Sequence, residues 1–200
     1  MFFQRDPHLV RQRFRPGQAF HLRSASGFSL IDILATVAIL GVAMAMAIPQ
    51  VGSALIDARA DAGMRQVVGH LRSARDTAMT QRRTIEVQFI GTNQLQSTRL
   101  NGTVRTPLAT TVLEHGMQFG LSTGVPDTPD AFGNARAVDF GGTTTAWFLS
   151  DGSLVDNANL PLSGSVFLAM PNRPLSARAV TVLGPTGRVQ SYKWNSQVWR

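Results

Sequence analysis

The hydrophobic rhythm of the chain changes twice along its length. From Phe28 to Ile48 it reads FSLIDILATVAILGVAMAMAI, in which Asp32 is the one ionisable residue. A helix over this run would be about 31 Å long, enough to cross a hydrocarbon core. Beyond Pro49, the residues Ala60, Met64, Val67, Leu71, Ala74 and Ala78 recur at alternating spacings of four and three. That spacing marks one face of an amphipathic helix. Arg65, Arg72, Arg75, Arg82 and Arg83 fall towards other faces and read as a solvated surface. Pro49 removes one helix hydrogen bond, so the pattern predicts one long, bent helix over residues 28–82.

From residue 84 the period becomes two. Thr84-Ile85-Glu86-Val87-Gln88-Phe89 alternates cleanly, and residues 95–100 lead into Asn101-Gly102, a hairpin-forming pair. Further strands are expected at 110–114, 136–140, 145–149, 165–170, 178–183 and 187–194, punctuated by Gly and Pro. The stretch 122–135 is rich in turn formers and reads as a loop. A helix followed only by strands predicts an α+β fold, with an antiparallel sheet packed on the helix. The expected organisation is a leader over 1–27, a transmembrane helix over 28–48, its amphipathic continuation over 49–83 and a β-rich globular domain over 84–200.

Charge sharpens the membrane reading. Of the formal +7, more than half lies in residues 1–27, where Arg5, Arg11, Arg13, Arg15 and Arg23 face Asp6 alone. Such a flank holds the leader on the cytoplasmic side and sends the C-terminal domain across the membrane. With that placement, a high pI is no argument for nucleic-acid binding by the whole chain. The chain has no cysteine, which excludes disulfides, thiolate metal sites and cysteine nucleophiles. His8, His21, His70 and His115 are scattered without metal-ligand spacing, and no glycine-rich phosphate loop occurs. Asp127, Asp130 and Asp151 sit beside turn formers and read as turn residues, so no catalytic, metal or cofactor site is expected.

The junction Ser26-Gly27-Phe28-Ser29-Leu30-Ile31-Asp32 resembles the signal of type IV prepilins and type II secretion pseudopilins, with Pro49 at the twenty-second position after the glycine. The resemblance implies cleavage after Gly27 by prepilin peptidase and N-methylation of the new terminus, Phe28. It also assigns an assembly role to Asp32, which would neutralise the terminal amine of a neighbouring subunit. The family's usual residue there is glutamate, so Asp32 keeps the charge on a shorter arm. The rival role is that of an acid tolerated near the membrane edge. An ordinary secretory signal would find small-x-small sites at Ala43-Met44-Ala45 and Ala45-Met46-Ala47. The acid in the apolar run, the long leader and the helical sequence beyond Pro49 favour the prepilin reading.

Two further segments, Ala146–Ser153 and Val180–Val189, each run from a strand into a glycine turn. They are similar to the C-terminal half of the GspH/FimT group of minor pseudopilins and minor pilins. That likeness implies a single-pass inner-membrane subunit with a periplasmic C-terminal domain, partnered by other pilins or pseudopilins in a type II secretion pseudopilus or a type IV pilus. A second function, DNA capture by a minor pilin, draws on the C-terminal segment, where Arg188, Lys193 and Arg200 alternate with Tyr192, Trp194 and Trp199. DNA-binding members of the resembled group carry a Gly-Arg-x-Arg turn, whereas Gly187-Arg188-Val189-Gln190 ends in glutamine. Arg188 and Lys193 are the candidate DNA contacts, against a closing strand that packs Tyr192 and Trp194 inward.

Overall fold

The computed structural model describes residues 29–200, without the side chains of 47–51. The chain divides into a unit ending at Ala45 and a second unit, Met46–Arg200. One helix, α1 (Leu30–Gln81), begins in the first and continues into the second. Its backbone is helical through Pro49. At the far end Arg82 takes a left-handed conformation, φ 51°, and Arg83 N–H bonds back to the Ala78 carbonyl at 3.2 Å. This pattern satisfies a carbonyl of the last turn and stops the helix where the period-two sequence begins.

Ten strands follow: β1 (Ile85–Ile90), β2 (Gln94–Asn101), β3 (Val104–Val112), β4 (Gln118–Phe119), β5 (Val138–Asp139), β6 (Thr145–Phe148), β7 (Leu154–Val155), β8 (Gly164–Met170), β9 (Arg173–Leu183) and β10 (Arg188–Lys193). They form two antiparallel sheets where the sequence pattern suggested one. The first runs β3-β2-β1-β6-β7; the second runs β10-β9-β8, with β4 and β5 both paired to the other edge of β8. The α+β class is as expected. The division into two sheets depends on which strands pair over long separations, and alternation along one strand does not carry that information.

The first hairpins follow local chemistry. β2 reverses at Gly102-Thr103 so that Asn101 pairs with Val104, as the Asn-Gly signal predicts. β3 starts at Val104, six residues before the expected 110, and so takes in Pro107. Proline is tolerated there since β3 is an edge strand and its register against β2 shifts at Ser97/Thr98, leaving Leu108 as an extra residue. The segment 122–135 contains one short turn of 3₁₀ helix, Pro129–Ala131, and otherwise follows the loop expectation.

The core lies between the helix and the two sheets within Met46–Arg200. Ala60, Val67, Leu71, Ala74 and Ala78 of α1 are buried in it, and Met64 is partly buried against it. Ile85, Val87 and Phe89 from β1, Phe148 from β6, Leu168 from β8 and Val180 from β9 complete it. Phe89 meets Phe119 of β4 edge-on at 5.3 Å and stacks on Phe140 at 5.6 Å, which ties the first sheet to the second. Burying side chains of this size contributes roughly 1.5–3 kcal/mol each.

Candidate functional site

In the first unit the described part of α1 is an apolar rod. Leu30, Ile31, Ile33, Leu34, Val37, Ile39, Leu40, Val42 and Met44 are all exposed. A helix that is apolar all round needs an apolar surrounding, either lipid or other helices. Among the described residues no helical stretch is by itself long and apolar enough to cross a membrane. The described side chains of this run stop at Met46, whereas the sequence carries the run on to Ile48.

Asp32 lies in the first turn of that rod. Its Oδ2 accepts the Ser29 N–H at 3.2 Å, so one carboxylate oxygen caps the helix start. An acid at this end also complements the positive pole of the helix dipole. The carboxylate thus faces the N-terminal end of α1. Gly27 and Phe28 themselves lie outside the described residues.

Besides an exposed hydrogen bond from Arg99 of β2 to Gln81 at 3.2 Å, three polar contacts join α1 to the strands and turns of the second unit. The largest centres on Arg178, in the middle of β9 and with a fully buried side chain. Its Nε donates to Asp61 at 2.7 Å, its Nη2 pairs with Asp57, and its Nη1 reaches the Leu175 and Ala177 carbonyls at 3.2 and 3.0 Å. Lys193 of β10 binds the second oxygen of Asp57. The hydrogen bond from Lys193, reinforced by Arg178 and stronger than the opposing effect of burial, holds the Asp57 carboxyl below its ordinary range. A buried guanidinium requires charge and hydrogen-bond partners, and here two helical acids one turn apart supply them.

The second contact joins the two turns that carry the family likeness. Gly152 and Gly187 both have positive φ, 84° and 58°. A Cβ at Gly187 would lie 2.0 Å from the Gly152 carbonyl oxygen. Arg75 of α1 donates to that same oxygen at 3.2 Å, and Arg72 reaches the Val189 carbonyl at 3.4 Å. The two segments are therefore brought face to face by glycine and locked to the helix. Arg75 was read from sequence as solvated surface; it is half-buried because the two turns fold over it. In the third contact, His70 Nδ1 lies 2.9 Å from Thr111 Oγ1 of β3, and burial lowers the pKa of the ring.

The candidate DNA contacts are thereby separated. Arg188 is exposed beside Gly187, while Lys193 is engaged with Asp57 and points towards α1. Two of the three rings are taken up by packing. Trp194 is buried and lies 5.5 Å from Trp199, and Trp199 in turn contacts Phe167 and donates its Nε1–H to the Pro126 carbonyl at 2.7 Å. Asp151 accepts the Ser153 amide and hydroxyl at 2.9 and 2.6 Å, as a turn residue should. Asp130 differs from expectation, accepting the Thr181 hydroxyl at 2.8 Å rather than a local amide. Among the described residues no group of three His, Asp or Glu side chains could hold a metal ion.

No protein-family model matches the chain, and no curated protein does. Among solved structures it is similar to the type IV minor pilin FimU of Pseudomonas aeruginosa, at 16% identity over 70% of this chain and 91% of that one, TM-score 0.48. It is also similar to the minor pseudopilin EpsH of the type 2 secretion system of Vibrio cholerae, at 15% identity over 68% of this chain and 97% of that one, TM-score 0.44.

Proposed function

We propose that this chain is a minor pilin or pseudopilin: a subunit cut after Gly27 by prepilin peptidase, methylated at Phe28, held in the inner membrane by residues 28–48 and incorporated into a type II secretion pseudopilus or a type IV pilus. One observation carries the reading: α1 begins as an apolar rod with a single acid in its first turn and continues as the core helix of a two-sheet domain. Such a helix has two separate tasks. Its second part holds a domain together, and its first part offers only surface that lipid or neighbouring rods can cover. With Asp32 at the start, a like rod alongside would meet a carboxylate close to its own terminus, which is the contact the prepilin resemblance assigns to that position.

The test is the intact mass and N-terminal sequence of the mature membrane form. The expected terminus is N-methylated Phe28, and Gly27 replaced by a bulky residue should leave the precursor uncut. A mature terminus at Met46 or Ile48 would make this an ordinary secreted protein instead. Asp32→Ala should insert into membranes yet fail to enter filaments, whereas Asp32→Glu should enter them. Normal incorporation of the alanine variant would reduce Asp32 to a helix cap.

A further inference from the structure

Alternation along β1 and β6 sets an indole on the side of the first sheet away from the core. Ile85 pairs with Phe148 and both are buried in the core, so the next pair, Glu86 with Trp147, points to the opposite face. Trp147 is half-buried there and lines an open cleft of about 660 Å³, together with Leu100 and Leu149. Small-ligand sites span about 300–1,000 Å³. The cleft lies wholly within Met46–Arg200, so it stands whether or not residues 28–48 form a membrane anchor.

Its charges are laid out in order across the sheet, whose strands run β3-β2-β1-β6-β7. Arg105 stands on β3, at one edge, and pairs with Glu86 at 2.8 Å, which neutralises that buried acid. Arg82 and Arg83 precede β1, the central strand. Both are exposed, and neither side chain forms an ion pair among the described residues. Asp151 and Asp156 flank β7, at the other edge. Each uses its Oδ1 within its own turn: Asp151 accepts from Ser153, and Asp156 accepts the Ala158 and Leu160 N–H groups at 2.8 and 2.9 Å. That leaves the second oxygen of each carboxylate to accept from a ligand.

Free guanidiniums, carboxylates at one edge and an indole between them suit a ligand that offers a carboxylate, hydroxyl donors and an aliphatic face at once. We propose that the cleft binds an acidic oligosaccharide, a chain of uronic-acid type. Arg82 and Arg83 hold a sugar carboxylate, the indole of Trp147 packs on the C–H face of a ring, and Asp151, Asp156 and Asn157 take the hydroxyls. Nucleic acid is the poorer occupant, because its evenly spaced phosphates would meet Asp151 and Asp156 as well as the arginines. A peptide is also disfavoured. Extended peptides draw affinity from main-chain bonds at a sheet edge, whereas the floor here is the face of the interior strands β1 and β6, which offers side chains.

The test titrates the full chain in detergent with hexamers of galacturonate, mannuronate and glucuronate, followed by tryptophan emission and by calorimetry. Of the three tryptophans, Trp147 alone lines the cleft. At least one of these acidic sugars should bind saturably and shift the emission, and Trp147→Phe should remove that shift. Arg82→Gln combined with Arg83→Gln should raise Kd about tenfold. Both arginines are exposed, so the melting temperature should not change with them. No saturable binding by any of the three sugars overturns the proposal. Equal binding of maltohexaose, which lacks carboxylates, also overturns it, as does equal binding of hexaglutamate or hexathymidylate, which are anions without ring hydroxyls. A shift that survives Trp147→Phe, or an affinity that survives the arginine substitutions, places the sugar elsewhere and overturns it too.

Discussion

Arg178 illustrates how one side chain can organise an interface. It stands among buried residues of β9, and both of its carboxylate partners lie on α1, Asp57 and Asp61. Removing one member of a buried pair typically costs 3–5 kcal/mol, because the remaining charges lose their partner. Asp57 and Asp61 are 42% and 29% exposed, so water relieves part of that penalty. Arg178→Ala is therefore expected near the low end, about 3 kcal/mol, read as a shift in urea midpoint at unchanged slope. An effect below about 0.5 kcal/mol would show that the pair is a surface contact. The network was half legible in the sequence. An arginine inside an apolar strand demands a carboxylate, and two acids one helical turn apart beside Ala60 were available to supply it, but nothing in the chain said which strand faced which turn.

His70 makes a pH prediction at the same scale. Its Nε2 is buried with no hydrogen-bond partner among the described residues, and burial disfavours the charged ring. Both states are neutral at high pH, so the site then costs nothing electrostatically. As the pH falls below about 6.5, the unfolded chain takes up a proton that the folded chain refuses, and stability drops. Melting temperature should fall between pH 7 and pH 5 by more in the parent than in His70→Gln. Parallel curves for the two proteins would place the ring in contact with water.

At the scale of elements, the helix face is the feature that sequence reading captured best. Spacings of four and three picked out Ala60, Val67, Leu71, Ala74 and Ala78, all of them buried. Met64 belongs to the same stripe but is only partly buried, and this separates two substitutions that the pattern alone treats as equal. Leu71→Asp places a charge at a site with no exposure and should unfold the domain or cost more than about 4 kcal/mol. Met64→Asp can turn its carboxylate towards solvent and should cost about 1–3 kcal/mol in thermal or urea denaturation. Equal effects would mean that the helix sits differently on the sheets. Strand existence was legible because alternation is local, as in Ile85, Val87 and Phe89. Two things were not: the reach of β3, hidden by Pro107, and the short strands β4 and β7, whose two-residue pairings leave no periodic trace. The role of Arg75 was likewise invisible, since it depends on two turns meeting over the helix.

On the scale of the whole molecule, the two parts of α1 should be thermodynamically separable. The buried core draws its first helical member from Ala60, with Ile56 packed against it, and takes nothing from the exposed run between Leu30 and Met46. A chain shortened to residues 50–200 thus loses apolar surface that the fold does not use, while keeping every contact of Arg178, Arg75 and His70. It should remain in solution without detergent, show mixed helix and strand by circular dichroism, and unfold in one cooperative step. Its melting temperature should match that of the domain in the detergent-held full chain, because the removed rod adds no core contact. Leu71→Asp in the shortened chain should abolish the transition, which ties the observed melting to the helix face rather than to the sheets alone. If the shortened protein instead aggregates or melts broadly while the full chain in detergent melts sharply, the apolar run would have to be counted as part of the domain. The division of α1 into an exposed apolar rod and a core helix would then be lost.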